Sequence, residues 1–128
     1  MITEDYVSFE TAELLKKKGF NEDCYTCYLI DEIQHYDYKS RNRDLIEGVI
    51  SAPTLQMARK WLRKVHNIHI ESLCPVVDTT DEPVTYNVVI SDLRNHCLAF
   101  DTPLDDKEYD SYEQACEKAI KYCLENLI

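Results

Sequence analysis

Apolar residues recur every three or four positions in three segments of the chain, which is the spacing of one face of an α-helix. The longest segment runs from Tyr112 to Leu127. Ser111 and Gln114 have the spacing of a capping box, in which side chains satisfy free N–H groups of the first helical turn. The pattern therefore predicts a C-terminal helix that begins after Ser111.

Two further helices are predicted nearer the N-terminus. The first begins at Ser8 and ends at about Lys18, because Gly19 suits the position after a helix. The second begins near Ser51, with Pro53 in its first turn, where a missing N–H costs nothing. Its buried stripe is expected to be Leu55, Ala58, Leu62 and Val65, with Arg59, Lys60, Arg63 and Lys64 facing away.

Runs rich in β-branched and aromatic residues lie between the helices and predict strands at 25–30, 68–77, 84–90 and 97–100. The stretch from Gln34 to Asp44 has no clear period, so it is expected to be an edge strand or a loop. Acidic loops are expected at 78–83 and 101–110. We therefore predict an α+β fold in a single domain, residues 1–128, with a mostly antiparallel sheet of about four strands and three helices, in the order α-β-(β)-α-β-β-β-α.

The charge balance argues against nucleic-acid and membrane partners. There are 24 Asp and Glu residues against 14 Lys and Arg, a net charge of −10, and such a surface repels phosphate backbones and anionic lipids. The order α-β-β-β-α after Ser51 also occurs in double-stranded-RNA-binding domains, but the expected basic cluster is replaced by Asp110 to Glu113. The acidic start and the lack of a long apolar run favour a cytoplasmic protein.

The cysteines and the other reactive residues form no recognisable catalytic or metal motif. Cys24 and Cys27 make a C-x-x-C pair, but a structural zinc site needs four ligands, and strand alternation would point the two thiols to opposite faces. We expect reduced thiols, no metal and no cofactor. His69 and Glu71 could form a general-base pair on one strand face. Without a phosphate loop or a nucleophile motif, a non-enzymatic protein is favoured.

Two groups of residues suit contact with a partner. Five acids lie in one loop: Asp101, Asp105, Asp106, Glu108 and Asp110. The loop lacks the glycine that a calcium-binding loop needs, so these acids are expected either to face solvent or to form an acidic docking surface. Nine tyrosines are many for 128 residues, and tyrosine is favoured both within sheets and at interfaces. Tyr36 and Tyr38 are the tyrosines that we select as candidate contact residues.

Three stretches of the chain together resemble a group of small uncharacterised proteins encoded by phages and integrated mobile elements of gut anaerobes. They are residues 8–20 (SFETAELLKKKGF), 50–70 (ISAPTLQMARKWLRKVHNIHI) and 112–128 (YEQACEKAIKYCLENLI), about two-fifths of the chain. The resemblance implies an accessory protein that works in a bacterial cytoplasm, and it implies no site residues.

These observations favour a non-enzymatic phage or mobile-element protein that acts by protein–protein contact, as a homodimer. One version is an acidic inhibitor of a host nucleic-acid-binding or defence protein, since a charge of −10 on a small domain can imitate a phosphate backbone. The alternative is a small-ligand protein that sequesters a nucleotide signal, with tyrosines stacked on the base and Arg41, Arg43 or Arg94 holding phosphates. A third hypothesis is an enzyme that uses His69 with Glu71, or a metal bound at the cysteines.

Overall fold

The computed structural model describes residues 2–75, 81 and 83–128. The helices are α1 (Phe9–Lys17), α2 (Leu55–His66) and α3 (Tyr112–Asn126), with a short 3₁₀ turn at Asn42–Asp44. The strands are β1 (Cys24–Leu29), β2 (Glu32–Ser40), β3 (Val49–Ser51), β4 (Ile68–Leu73), β5 (Asn87–Asp92) and β6 (Leu98–Ala99). Within these residues, no helix is long and apolar enough to cross a membrane.

Side-chain caps fix the start of every described helix. Ser8, Thr54 and Ser111 each accept a hydrogen bond from the backbone N–H three residues further on. The predicted start of α2 near Ser51 is wrong, because Ser51 still pairs with Cys27 in an extended strand. Pro53 therefore precedes the N-cap rather than occupying the first turn.

The α+β fold with three helices and antiparallel strands is confirmed, and the described strands divide into two sheets rather than one. The first sheet has the order β2-β1-β3 and the second has the order β4-β5-β6. The stretch from Gln34 to Asp44 supplies an edge strand as far as Ser40, followed by the 3₁₀ turn. β3 was not predicted, since three residues are too few to show a strand period.

Helix α3 lies at the centre of the core. Its buried residues are mostly small, which lets α1, α2 and strands β4 and β5 approach closely: Ala115, Cys116, Ala119, Ile120, Cys123 and Leu124. Burial raises the pKa of the Cys123 thiol to about 12, so this cysteine stays a neutral apolar group in the core.

The inward face of α2 differs from the predicted stripe at two positions. Val65 is 50% exposed, whereas Arg59 is buried. The Arg59 guanidinium donates to the Ile70 carbonyl at 2.5 Å and to the Tyr112 hydroxyl, and so links α2 to β4 and α3. These bonds satisfy its two terminal nitrogens, and Nε has no partner among the described residues. Charge-assisted bonds of this kind offset part of the cost of burying an arginine.

Parts of two predictions lie outside the described residues. They are the end of the strand expected at 68–77 and most of the acidic loop expected at 78–83.

Candidate functional site

The tip of the β1–β2 hairpin carries an exposed isoleucine in an unfavourable backbone conformation. Leu29 pairs with Glu32, so the connection is the two-residue turn Ile30–Asp31, with φ of 51° and 64°. Such turns favour Asn, Asp and Gly, because other side chains are strained at positive φ. Asp31 suits the turn, but Ile30 is β-branched and 83% exposed. The free protein therefore bears backbone strain at Ile30 without a compensating burial of its side chain.

The same hairpin exposes a row of apolar side chains on the outer face of the first sheet. Tyr28 and Ile33 are opposite each other and pack with the core, so residues of the other parity point away from it. These include Leu29 and Tyr36, and the ring of Tyr38 packs beside that of Tyr36. We call these three side chains the tyrosine face. The rings of Tyr36 and Tyr38 are 5.1 Å apart between centroids, and the two side chains are 36% and 59% exposed.

A bulge in β2 positions these tyrosines. Thr26 pairs with His35 and Cys24 with Ser40, so the segment 36–39 lies opposite Tyr25 alone. Bulges of this kind re-aim side chains at sheet edges, and β2 is an edge strand of its sheet. The Lys39 ammonium lies 5.6 Å from the centroid of the Tyr25 ring, which adds a cation–π contact to the aromatic surface.

Cys24 and Cys27 occupy different environments in β1. The Cys24 thiol belongs to the core cluster and lies 3.8 Å from the Met57 sulfur, and burial together with the charge of Asp23 raises its pKa to about 11. Cys27 is buried but does not belong to that cluster. The nearby Cys27 thiol raises the pKa of Tyr36, and alternation along β1 places Cys27 on the same side of the strand as Leu29. All six cysteines are free thiols, and the described residues hold no group of three or more side chains suited to a metal ion.

The acidic loop 101–110 is anchored to the body of the protein at both ends. Leu104 and Tyr109 are buried, and Tyr109 exchanges two backbone hydrogen bonds with Tyr86, of 2.7 and 2.8 Å. The Asp105 carboxylate accepts the Thr102 N–H at 3.1 Å and the Thr102 hydroxyl at 2.9 Å. Asp105, one of the candidate contact residues, therefore stabilises the loop.

The remaining acids of the loop point to solvent: Asp101, Asp106, Glu108 and Asp110. Further along the chain, Glu113 shares a cleft of about 330 Å³ with Glu4 and Asp5 at the N-terminal ends of α2 and α3. Among the described residues, no lysine or arginine lines this cleft, and the positive ends of the two helix dipoles offset part of the repulsion among the carboxylates. The structure thus extends the acidic surface beyond the residues selected from the sequence.

The candidates for other chemistries are dispersed. His69 Nε2 lies 2.7 Å from Glu71 Oε2, as the sequence predicts, but these side chains are 34% and 53% exposed on an open strand face. Arg41 bonds Asp23 at 2.9 Å and Arg43 lies 3.9 Å from Asp44, so both face carboxylates. Arg94 lies in the turn after β5, near His66, whose pKa its charge helps to lower.

Ile30 is the functional candidate that sequence reasoning missed. The apolar run that predicted a strand at 25–30 includes it, and no glycine or asparagine marks a turn there. The pairing of Leu29 with Glu32 is what reveals its position.

Comparison of the chain with protein-family models, curated proteins and solved structures gave no match in any of the three.

Proposed function

We propose that this chain is a binding protein that contacts a partner protein through the β1–β2 hairpin. The observation that carries the proposal is the exposed Ile30 at positive φ on the hairpin tip. Strained residues persist where function selects them, and a β-branched apolar side chain gains nothing from water. A partner that covers the tip would supply the burial that the free protein lacks.

The tyrosine face provides the area and the chemistry for such a contact. Aromatic residues are enriched among the side chains that dominate binding energy at interfaces. Leu29 is next to Ile30, and Tyr36 and Tyr38 lie further along β2 of the same hairpin. Complete burial of a large apolar side chain is worth about 1.5–3 kcal/mol. A partner groove that accepts the tip and the face together would therefore gain a substantial apolar contact.

The charge of the molecule favours a basic partner. The net charge is −10, and the exposed acids of loop 101–110 are joined by Glu4, Asp5 and Glu113. Such a field steers a cationic protein and raises its association rate. A host nucleic-acid-binding or defence protein has this character, and the resemblance to phage and mobile-element proteins supports a site of action in the bacterial cytoplasm.

A second copy of the chain is a less favoured occupant of the hairpin. β2 is an edge strand, and edge strands can pair between copies. The bulge at 36–39 and the charged Lys39 within it are, however, features by which proteins prevent edge-to-edge association. The homodimer stays a prediction, which light scattering on the purified protein tests directly.

Two variants with matched exposure test the proposed contact. Tyr38 on the tyrosine face is 59% exposed and Leu98 on β6 is 58% exposed, so replacing either by Ser removes a similar exposed side chain. Tagged protein is incubated with a lysate of the bacterium that carries the gene, and the retained proteins are quantified. We expect the wild type and Leu98→Ser to retain the same partner protein in similar amounts, and Tyr38→Ser to retain about tenfold less of it. Equal retention by the two variants would contradict the proposal.

A further inference from the structure

Two adjoining clefts run along the exposed side of α2, next to the hairpin. Their volumes are about 320 and 280 Å³, and both are lined by Asp23 and Met57. Lys60 and Lys64 line the first cleft, and Tyr25 and Lys39 line the second. We call this continuous depression the lysine groove.

The lysine groove has a positive balance of charge on an acidic protein. Its cations are Lys39, Lys60 and Lys64, and the acids that line it are Glu22 and Asp23. Arg41 already neutralises the Asp23 carboxylate at 2.9 Å. Among the described residues, none of the three lysines has a carboxylate within 4.0 Å. Lys39 lies over the Tyr25 ring, so Lys60 and Lys64 are the ammonium groups that the groove offers to an anion, although the whole chain carries −10.

Between these cations the groove exposes flat and polarizable apolar surface. Tyr25 is 53% exposed and Met57 is 37% exposed. Bases of any identity stack on a tyrosine ring, and a methionine thioether adapts to the shape of a ring. Met57 lines both clefts, so it lies between the tyrosine end and the end that carries Lys60 and Lys64.

We propose that the lysine groove binds a small anionic aromatic molecule with the chemistry of a nucleoside monophosphate. The ring stacks on Tyr25 and Met57, and the phosphate accepts hydrogen bonds from Lys60 and Lys64. The proposal is distinct from protein binding at the hairpin tip, because the lysines that hold the phosphate lie on α2, whereas Tyr25 and Lys39 belong to the base of the hairpin. It also replaces Arg41, Arg43 and Arg94, which the sequence suggested as phosphate ligands, with lysines that converge on one groove.

The experiment is an NMR titration of the full chain, labelled with ¹⁵N, with adenosine 5′-monophosphate. Adenosine and inorganic phosphate are titrated separately as the ring alone and the anion alone. We expect saturable shifts of amide signals in α2 and around Tyr25 with the monophosphate, and at least about tenfold weaker binding of either fragment. Absence of saturable shifts, or equal binding of inorganic phosphate, would overturn the proposal.

Variants separate a built site from general attraction of an anion. Lys60→Gln combined with Lys64→Gln is expected to weaken monophosphate binding about tenfold or more. Lys118→Gln, an exposed lysine on α3, is expected to leave the affinity unchanged. The single variants Lys60→Gln, Lys64→Gln and Lys118→Gln change the net charge by the same amount. If Lys118→Gln lowers the affinity for the monophosphate as much as Lys60→Gln or Lys64→Gln does, the proposal is overturned. Circular dichroism checks that each variant is folded. The double variant is also tested for capture of the protein that binds the hairpin, so that a loss of monophosphate binding can be told apart from a loss of the proposed function.

Discussion

At the scale of single residues, the informative side chains are those with an unfavourable backbone conformation or an unpaired polar atom. Ile30 is exposed and at positive φ, and positive φ is unfavourable for a β-branched side chain. Glu117 and His66 are half-buried, and each has one buried polar atom without a partner among the described residues. Such residues reveal where the fold depends on a few specific contacts.

Glu117 is expected to be a strong stabilising contact between α3 and α1. Its Oε1 accepts the Ser8 N–H at 3.2 Å and the Thr11 hydroxyl at 2.6 Å, at the positive end of α1. Glu117→Ala leaves these donors without an acceptor, so we expect a loss of about 1–3 kcal/mol of unfolding free energy in urea denaturation. Glu113→Ala, an exposed position on α3, is expected to change stability by no more than about 0.5 kcal/mol. Equal effects would refute this role for Glu117.

His66 is expected to make the fold sensitive to acid. Burial and then the nearby charge of Arg94 lower the pKa of His66, and its ring packs on Trp61 at 4.7 Å between centroids. The unfolded chain therefore binds a proton more readily than the folded one, so stability that is present above about pH 6.5 decreases as the pH falls through the folded pKa. His66→Gln should reduce the loss of stability between pH 7 and pH 5, measured by thermal unfolding. An unchanged pH dependence would exclude His66 as its source.

At the scale of elements, helices could be predicted from the sequence and the arrangement of strands could not. The caps Ser8 and Ser111 and the apolar stripes are local signals, and they identify α1 and α3 closely. β3 and the division into two sheets depend on pairings between distant residues, such as Ser51 with Cys27, which no local pattern encodes. The bulge that positions Tyr36 and Tyr38 is likewise a property of the pairing, so the sequence could select the tyrosines but not their shared face.

The acidic loop is expected to owe its order to one of its own acids. Asp105 bonds the backbone and side chain of Thr102, whereas the neighbouring Asp106 is exposed and has no hydrogen bond among the described residues. Asp105→Ala should increase amide hydrogen exchange within 102–107 by about fivefold or more, which corresponds to the loss of about 1 kcal/mol. Asp106→Ala, with the same change of charge, should leave exchange unchanged. Similar exchange in both variants would contradict the assigned role.

At the scale of the whole molecule, the net charge of −10 governs encounters more than it governs the fold. Long-range steering falls with ionic strength because salt screens exposed charges beyond about 10 Å at 0.1 M. For a captured partner, we expect the association rate to fall at least about tenfold between 50 and 500 mM salt, with a smaller change in the dissociation rate. Stopped-flow measurement of both rates tests this, and an association rate that is independent of salt would exclude a role for the acidic surface.

Among the described residues, the other non-glycine positions at positive φ are Asp31, Asn67, His96 and Cys97. Ile30 differs from them because its side chain is β-branched as well as exposed. Asparagine tolerates positive φ, so Ile30→Asn should relieve the strain at the tip while it removes the apolar side chain. Stability and partner binding should therefore change in opposite directions, which is the trade-off expected at a functional site. If Ile30 served only to stabilise the fold, its replacement would lower stability and would not separate stability from partner binding.

The most direct measurement is the unfolding free energy of Ile30→Asn compared with that of the wild type, by urea denaturation, on protein that is also used for partner capture. We predict that the variant is more stable by about 1 kcal/mol and captures the partner at least about tenfold less well. A variant that is less stable than the wild type, or that captures the partner equally well, would contradict the claim that the hairpin tip is strained in order to bind.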